Sequence, residues 1–141
     1  MIEIKLLGPS DLNILNNVAE NVFDDPINSS SAQEFLTDPR HRLVVGLDNN
    51  VVVGFVSAVL YVHPDKPAPE LWVNEIGVAP THQQRGIGKS LMRAILEEAK
   101  QCGCTEAWVL TERDNMPAMV LYKSAGGVES SPDPTMFTFK L

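Results

Sequence analysis

The stretch that decides the fold is Gln83-Gln84-Arg85-Gly86-Ile87-Gly88. It follows an apolar run, Leu71 to Val78, that is typical of a strand, and it opens an amphipathic run, Ile87 to about Gln101, that is typical of a helix. Two glycines at alternate positions let backbone N–H groups approach an anion, and the N-terminus of the following helix directs a partial positive charge at the same point. We therefore expect this turn to bind a phosphate.

Basic side chains surround the turn in a chain that is acidic elsewhere. Arg85, Lys89 and Arg93 lie within one turn or so of the loop, whereas the whole chain carries a net charge of −7. This concentration of positive charge supports phosphate binding. A Rossmann dinucleotide turn fits less well because the first glycine of G-x-G-x-x-G is missing, and a Walker loop is excluded because the Gly-Lys-Ser/Thr ending is absent.

The strand before the turn carries apolar residues at two different parities. One set is Leu71 and Val73, and the other is Ile76 and Val78. Strict alternation cannot place all four side chains on one face. An extra residue at or near Asn74-Glu75 would restore a common face, so the sequence predicts a β-bulge there. The bulge would splay this strand from its parallel neighbour, predicted at 107–111, and would admit an extended ligand between them.

Alternation, helical spacing and turn residues predict the remaining elements. They are a strand at 2–6, a helix at 12–22, a short helix at 31–37, a hairpin of 43–47 and 51–62, a helix from Asn115 to Ser124, and a last hairpin within 136–141. The turn Asp48-Asn49-Asn50 suits the first hairpin, because asparagine and aspartate tolerate the positive φ of tight turns.

The composition is that of one soluble domain. The 141 residues are 44% hydrophobic and 21% charged, and a chain of this length buries roughly 70% of its unfolded surface. We expect a single domain over residues 1–141. No apolar run approaches the length of a membrane span, and the start lacks the basic and apolar regions of a leader, so the expected location is the cytoplasm.

Charge and cysteine usage narrow the possible functions. Residues 1–39 hold seven acidic residues against one lysine. An acidic surface repels nucleic acid and anionic membranes and attracts small polycations. Cys102 and Cys104 are too close in sequence for an unstrained mutual disulfide, so reduced thiols are expected. The three histidines are scattered without a metal-binding spacing, and no metal is predicted.

Two motifs together give the chain a family resemblance. Gln83-x-x-Gly86-x-Gly88, between a strand and a helix, resembles the acyl-CoA loop of the GCN5-related N-acetyltransferase (GNAT) family, and Asn115-x-x-Ala118-x-x-Leu121-Tyr122 resembles a second segment of that family. Within the family the chain is most similar to the aminoglycoside 3-N-acetyltransferases of type I. That similarity lies in Tyr61-Val62-x-Pro64, Glu75-Ile76-x-Val78 and His82-x-x-x-Gly86-Ile87.

The resemblance implies a fold, a co-substrate and partners. The fold would be α/β (mixed α+β), with a mixed central sheet of six to seven strands, a bulged and splayed fourth strand, and about four helices. The acyl donor would be acetyl-CoA. The acceptor would be a primary amine of a small cation, an aminoglycoside antibiotic, acetylated at its 3-amino group by direct attack. The resemblance also implies a homodimer formed through the C-terminal strands.

Two residues would carry the chemistry by this resemblance. Glu75 matches the family's acidic base, which takes a proton from the acceptor amine, and Tyr122 matches its donor to the departing sulfur. A structural interpretation stays open for each of them. Glu75 would then be an edge carboxylate facing solvent, and Tyr122 would be a core residue that packs beside Met119 and Leu121.

Cofactor binding would involve the bulged strand, the turn and the last helix. The expected cofactor-binding residues are Ile76, Gly77, Val78, Gln83, Gln84, Arg85, Gly86, Ile87, Gly88, Lys89, Ser90, Asn115, Ala118 and Tyr122. Among these, the backbone N–H of Ile76 would donate to the developing oxyanion. Capping of the last helix alone would also explain Asn115.

Acidic side chains would bind the amine-rich acceptor. The expected substrate-binding residues are Asp24, Asp25, Glu34, Glu75 and Asp133. Polyamines, other small amines, and a protein lysine or N-terminus fit the same electrostatics. Two other classes of function stay open: a regulatory module that binds acyl-CoA without turnover, and a pure interaction domain.

Overall fold

The computed structural model of the protein describes residues 1–130 and 135–141. Within these ranges, five strands form one mixed sheet and three α-helices accompany it. The strands are β1 (Glu3–Leu6), β2 (His41–Asp48), β3 (Val51–Tyr61), β4 (Glu70–Val78) and β5 (Glu106–Val109). The helices are α1 (Ser29–Thr37), α2 (Ile87–Gln101) and α3 (Met116–Ser124), with 3-10 helices at Leu12–Asn16 and Pro80–His82. No helix in this described part is long and apolar enough to span a bilayer.

The strands follow one another across the sheet in chain order. Pairing is antiparallel from β1 to β4, and β4 pairs with β5 in parallel, as predicted. The β2–β3 hairpin turns at Asn49 and Asn50, whose φ angles of 49° and 65° lie in the left-handed region that asparagine tolerates. The predicted hairpin and its asparagine turn are confirmed.

The predicted β-bulge in β4 is also confirmed. Ser57 pairs with Glu75 and Ala58 pairs with Val73, so Asn74 is the extra residue. Because of this insertion, four apolar residues of β4 share one face of the sheet: Leu71, Val73, Ile76 and Val78. The described pairing of β4 with β5 ends at Val73. The two strands therefore separate where Asn74 is inserted.

The two faces of the sheet are covered by different elements. Helix α2 covers one face, where a Cβ on Gly54 would lie 3.3 Å from side-chain atoms of Ile87 and Leu91. On the opposite face, α1 packs against β2 and the first 3-10 helix packs against β3, and Phe55 stacks on Phe23. The largest fully buried side chains lie between these layers: Phe55, Leu71, Leu91, Ile95 and six valines of β2, β3 and β4.

The predicted helix at 12–22 is wrong beyond its first turn. The structure has a 3-10 helix at Leu12–Asn16, after which the chain runs beside β3. Val52 N–H donates to the Asn17 carbonyl, and Ala19 N–H donates to the Val52 carbonyl. These bonds take the backbone groups that a longer helix would use, so tertiary pairing overrides the helical spacing of the apolar residues.

The expected counts of six to seven strands and about four helices are also wrong for the described residues. One missing helix is the shortened segment at 12–22. The missing strands were expected near the C-terminus, but residues 135–141 are not assigned to a strand. Residues 131–134, which precede the predicted last hairpin, lie outside the described residues. The sheet therefore ends at β5 in the part of the chain that the structure describes.

Candidate active site

A cavity of about 380 Å³ opens on the α1 face of the sheet, at the bulge of β4. Its walls come from β3, β4, α1 and the segment that precedes α1. Its polar lining consists of Asp24, Asp25, Asn28, Ser31, Ser57, Asn74 and Glu75. The bulge and two of the predicted acidic residues thus meet Glu75 at one opening. The cavity is the candidate site for the acceptor.

A glycine on β4 shapes the wall of this cavity. A Cβ on Gly77 would lie only 2.7 Å from the Val22 carbonyl oxygen and 2.9 Å from Phe55 Cε1. The ring of Phe23 stacks on Phe55 with a centroid distance of 4.0 Å and an interplanar angle of 22°. Because Gly77 has no side chain, the segment 22–25 can cross close over β4. This crossing brings Asp24 and Asp25 to the cavity.

Glu75 lies at the mouth of the cavity on the same face as Ser57, with which it pairs across the strands. Burial by the surrounding residues raises the pKa of the Glu75 carboxyl, and the negative charge of Asp24 raises it further. Both effects make the carboxylate a better proton acceptor than an isolated glutamate. The geometry and the pKa shift therefore suit a general base, while its exposure keeps it accessible to an acceptor.

Ser57 is a cavity residue that the sequence reasoning missed. It is the one polar residue among the buried residues of the described chain, with 7% of its surface exposed. It lines the cavity directly opposite Glu75. Strand parity could have found it, because Ser57 interrupts an otherwise apolar β3 at the position facing the bulge. Its hydroxyl can donate to or accept from a polar group held in the cavity.

We call residues 83–88, which the sequence predicts to bind phosphate, the phosphate-binding turn. Gln84 and Gly86 have φ angles of 59° and 80°. Helix α2 begins at Ile87, and no side chain caps it, so the N–H groups of its first turn point outward for an anion. Gln83 Nε2 donates to the Val78 carbonyl at 3.1 Å and so ties the turn to the end of β4. Arg85, Lys89 and Ser90 are exposed beside it.

These features fit the pyrophosphate of acetyl-CoA. The uncapped first turn offers donors, and the side chains around it supply positive charge. Gly88 lies where helix α3 approaches, since a Cβ on Gly88 would be 3.3 Å from Leu121 Cδ2. Ile76, Gly77 and Val78 lie on β4 beyond the point where the described β4–β5 pairing ends. An extended ligand could therefore run from the turn along this part of β4.

Helix α3 carries Tyr122 and packs against α2. Its N-cap is Asn115, whose Oδ1 accepts from the Ala118 N–H at 3.3 Å, as the capping interpretation predicted. Tyr122 is half-buried against the core, and burial raises the pKa of its phenol. Its hydroxyl makes no hydrogen bond to another described residue, so its donor capacity is available to a ligand.

Two other predicted substrate residues are not brought to the cavity. Glu34 is exposed on α1 and does not contribute to the cavity lining. Asp133 lies outside the described residues. Cys102, the C-cap of α2, and Cys104, in the loop that follows, are free cysteines. No cluster of three or more potential metal-ligating side chains forms among the residues that the structure describes.

A contact that the sequence did not reveal anchors the phosphate-binding turn. His82 Nε2 lies 2.9 Å from Asp48 Oδ2, and His82 Nδ1 lies 2.8 Å from Thr81 Oγ1. Asp48 is the last residue of β2, and His82 ends the 3-10 helix that leads into the turn. Because the two residues are far apart in sequence, no local pattern could have predicted the pair.

Comparison with known proteins places this geometry in a family. Residues 12–126 match the acetyltransferase (GNAT) family. The chain belongs to this family. The matched range includes the cavity-lining segment before α1, the bulged strand, the phosphate-binding turn and helix α3. The family resemblance expected from the sequence is thereby confirmed.

A curated relative of this family member is N-alpha-acetyltransferase RimI of Mycobacterium tuberculosis (strain ATCC 25618 / H37Rv). It is 33% identical over 105 residues, which are 74% of this chain and 63% of RimI. The chain therefore spans less than two thirds of that relative's length.

Solved structures show the same fold over nearly the whole chain. An aminoglycoside acetyltransferase, meta-AAC0020, from an uncultured soil metagenomic sample in complex with sisomicin has a TM-score of 0.82 at 21% identity, covering 99% of this chain and 97% of that one. AAC(6')-Iy in complex with a bisubstrate analogue, CoA-S-monomethyl-acetylneamine, has a TM-score of 0.80 at 20% identity, covering 100% and 99%. At these identities the likeness shows the fold. The latter is a 6'-type enzyme, so these structures do not show the 3-N specificity expected from the sequence.

Proposed function

We propose that this GNAT family member transfers the acetyl group of acetyl-CoA to a primary amine of a small polycation, an aminoglycoside. The observation that carries the proposal is the meeting of Asp24, Asp25 and Glu75 around one cavity at the bulge of β4. Negative charge at this opening favours an amine-rich acceptor. The phosphate-binding turn at the start of α2 supplies the second site that such a reaction needs.

The acyl transfer uses groups that this chain presents. The acceptor nitrogen forms a bond to the acetyl carbon, and the bond from that carbon to the CoA sulfur breaks. Glu75 takes the proton that the amine loses, and Tyr122 donates a hydrogen bond or a proton to the leaving sulfur. A positioned acid or base of this kind contributes roughly 10²- to 10⁴-fold to a rate. The N–H of Ile76 serves as donor to the carbonyl oxygen.

Acetyl-CoA as co-substrate is supported by two independent features. The uncapped N-terminus of α2, with Arg85 and Lys89 beside it, suits a pyrophosphate. A structural relative with the same fold was solved with a CoA-containing bisubstrate analogue. We propose that the cofactor-binding residues expected from the sequence contact acetyl-CoA.

The proposed position of acetylation on the aminoglycoside rests on the segments that resemble the type I 3-N enzymes. Glu75-Ile76-x-Val78 is one of those segments, and it forms the bulged strand beside the cavity. We therefore propose the 3-amino group. A structural relative of the 6' type favours the alternative position, and mapping of the product decides between them.

A second candidate acceptor is the N-terminal amine of a protein. The relative RimI, named as an N-alpha-acetyltransferase, favours it. The cavity is open to solvent on the acidic side, so an extended peptide end could reach Glu75. The two acceptors differ in charge: a peptide brings one α-amine, whereas an aminoglycoside brings several ammonium groups to Asp24 and Asp25.

The homodimer expected from the resemblance remains part of this proposal. Its C-terminal segment is exposed in the single chain, with Phe137 at 79% and Phe139 at 80% of their full exposure. Exposed large apolar side chains close together mark an association surface. We propose that residues 135–141 pack against a second copy. A single-chain mass in solution at assay concentration would contradict this part of the proposal.

The decisive experiment measures acetyl-CoA-dependent thiol release by the purified protein. The panel contains sisomicin and other aminoglycosides, spermidine, a lysine peptide and a peptide with a free N-terminus. Mass spectrometry and NMR of each product give the number and position of added acetyl groups. Release with aminoglycosides supports the proposal, and release only with peptides transfers it to the second candidate. Binding of acetyl-CoA with no release for any amine would instead support a regulatory module.

A further inference from the structure

Four rings form a continuous cluster beside the acceptor cavity. Trp72 and Trp108 are stacked, with centroids 5.5 Å apart and an interplanar angle of 13°. Tyr61 meets the edge of Trp108, and the Trp108 Nε1–H donates to the Tyr61 hydroxyl. His63 packs against the edge of Tyr61 at a centroid distance of 5.2 Å. We call Trp72, Trp108 and Tyr61 the aromatic surface.

The strand register places the aromatic surface on the same face as the cavity. Trp72 pairs with Val59 and with Trp108 across its two neighbouring strands. Val59 and Ser57 have the same parity on β3, and Ser57 lines the cavity. Trp72 precedes the bulge residue Asn74 by two positions, a rise of about 7 Å along a strand. On this face of the sheet, Trp72 is therefore the next side chain of β4 before the bulge at the acceptor cavity.

The aromatic surface is only partly covered. On this face α1 packs against β2 and the first 3-10 helix packs against β3, so these covering elements lie toward β2 and β3, away from β5. Trp72 and Trp108 remain half-buried, although tryptophan is among the largest apolar side chains. At the far end of the surface, the Glu70 carboxylate contacts His63 and lies 3.5 Å from Lys66 Nζ, and the exposed Glu106 lies opposite Glu70 on β5. The three rings supply the apolar and π surface of this region.

We propose that the aromatic surface is a second acceptor subsite, which binds a further amino-sugar ring of the acceptor while the reacting amine lies at Glu75. The inference rests on the proposed function and deepens it, because it selects multi-ring aminoglycosides over single-ring and acyclic amines. Aromatic faces attract ammonium groups, and tryptophan does so most strongly. An amino sugar also has apolar C–H groups that pack on a ring face, as in concave sites for small molecules.

Charge and ring position act together in this arrangement. Asp24 and Asp25 neutralise ammonium groups at the cavity. The aromatic surface binds a sugar ring about one residue pair closer to the start of β4. Because the three rings themselves carry no charge, they discriminate by shape and by cation–π attraction instead of by charge. A flexible polyamine satisfies the carboxylates and gains little from the rings, since it loses more conformational freedom when it is held in one geometry.

Intrinsic fluorescence gives a direct test, because the chain contains only two tryptophans and both belong to this surface. The wild-type protein, without acetyl-CoA, is titrated with sisomicin, 2-deoxystreptamine and spermidine. We expect sisomicin to change the tryptophan emission with saturation and the other two amines to change it little. An emission that stays constant while sisomicin is bound, as measured by calorimetry, would overturn the proposal.

Substitution of one tryptophan gives the second readout. Trp72→Leu is expected to raise the KM for sisomicin roughly three- to thirtyfold, the range of a cation–π contact, while the KM values for 2-deoxystreptamine and acetyl-CoA stay within twofold. Trp72→Phe keeps an aromatic face and should raise the KM for sisomicin less. It also provides a second test should the leucine variant misfold. Val62→Ala, at an exposed neighbouring position, is the matched control. Equal KM values for sisomicin in wild type and Trp72→Leu would contradict the subsite.

The outcomes separate this inference from the proposed function. Acetylation of sisomicin with no emission change and no KM effect removes the subsite and leaves the activity intact. Absence of both binding and acetylation for every aminoglycoside removes the function and the subsite together. Emission that varies with protein concentration in step with dimer mass, and is insensitive to amines, shows that a second copy covers the rings and also overturns the proposal.

Discussion

His82 Nε2 lies 2.9 Å from Asp48 Oδ2, and this contact joins the tip of the β2–β3 hairpin to the phosphate-binding turn. The same bond lowers the pKa of the Asp48 carboxyl, with smaller contributions from the charges of the N-terminal amine and Arg85. His82 is held on its other side by Thr81. The turn at the start of α2 is therefore fixed from the hairpin as well as from the helix.

Asp48→Asn is expected to weaken acetyl-CoA binding selectively. The amide keeps the size of the side chain but loses the charge that faces His82, so the residues leading into the turn lose an anchor. We predict a KM for acetyl-CoA raised about three- to tenfold, the effect of one charge-assisted hydrogen bond of partial exposure, with the acceptor KM unchanged. Steady-state kinetics with each substrate varied in turn checks this, and Asp65→Asn, in the exposed loop before β4, is the control. Equal increases in both KM values would mean that the pair only stabilises the fold.

Local signals in the sequence predicted much of the fold. The apolar parity change at Asn74 predicted the bulge, Asn49 and Asn50 predicted a tight turn, and Asn115 predicted the start of α3. Each signal lies within a few residues of the feature it predicts, because steric limits on φ and side-chain alternation act locally. The bounds predicted for helix α2 agree with the structure for the same reason.

Features that depend on distant residues could not be predicted in this way. The helical spacing at 12–22 is lost because Val52 takes the hydrogen bonds of Asn17 and Ala19. The sequence predicts Asp24, Asp25 and Glu34 at the acceptor, yet Asp24 and Asp25 line the cavity and Glu34 does not. The difference arises from the close crossing of the chain over Gly77, which no periodicity in the sequence records.

Glu75→Gln is expected to reduce the turnover number strongly. The amide retains the shape of the side chain but cannot take a proton from the acceptor amine. We predict a decrease in kcat of roughly 10²- to 10⁴-fold, with acetyl-CoA affinity measured by calorimetry unchanged. The matched control is Glu34→Gln, an exposed acid of α1 outside the cavity lining. A turnover number within twofold of wild type would show that Glu75 is a surface carboxylate without a catalytic role.

Asp24→Asn is expected to move the pH dependence of the reaction. Burial and the charge of Asp24 raise the pKa of Glu75. A base must be deprotonated to act, so activity falls as the pH drops through this raised pKa. Removing the charge at Asp24 lowers the Glu75 pKa, and the acidic limb of kcat/KM should shift to lower pH.

The control for this shift is Asp25→Asn, which lines the same cavity. It is expected to weaken acceptor binding and to leave the acidic limb where it is in wild type. Profiles of kcat/KM against pH for the three proteins, with a single aminoglycoside as acceptor, make the comparison. A limb that moves equally in both variants would indicate a general effect of net charge on the cavity and not a pairwise effect of Asp24.

Tyr122→Phe is expected to slow acetyl transfer without unfolding the protein. Its hydroxyl has no partner among the described residues, and burial raises the pKa of the phenol, so the group stays protonated at neutral pH. Loss of one hydrogen bond to a charged leaving sulfur should lower kcat about tenfold to a hundredfold. The Tm of the variant should match that of wild type because the ring still packs against the core. A wild-type kcat would leave Tyr122 with a packing role only.

Gly77→Ala tests the close crossing that forms the acceptor cavity. The added Cβ would lie 2.7 Å from the Val22 carbonyl oxygen, a backbone atom that cannot rotate away. Overpacking of this kind typically costs about 1–3 kcal/mol, which corresponds to a decrease in Tm of roughly 3–10 °C for a domain of this size. Because the displaced segment carries Asp24 and Asp25, the acceptor KM should rise more than the acetyl-CoA KM.

Gly8→Ala is the matched control for this substitution. A Cβ on Gly8 would meet only Asp11 Oδ2 at 3.7 Å, an ordinary contact distance. We expect its Tm and both of its KM values to stay close to those of wild type. If Gly77→Ala lowers the Tm but raises the two KM values equally, the crossing at Gly77 supports the fold as a whole and does not position the acceptor acids. A larger rise in the acceptor KM than in the acetyl-CoA KM would show that recognition of the amine depends on the missing side chain at Gly77, because the close crossing there holds Asp24 beside Glu75.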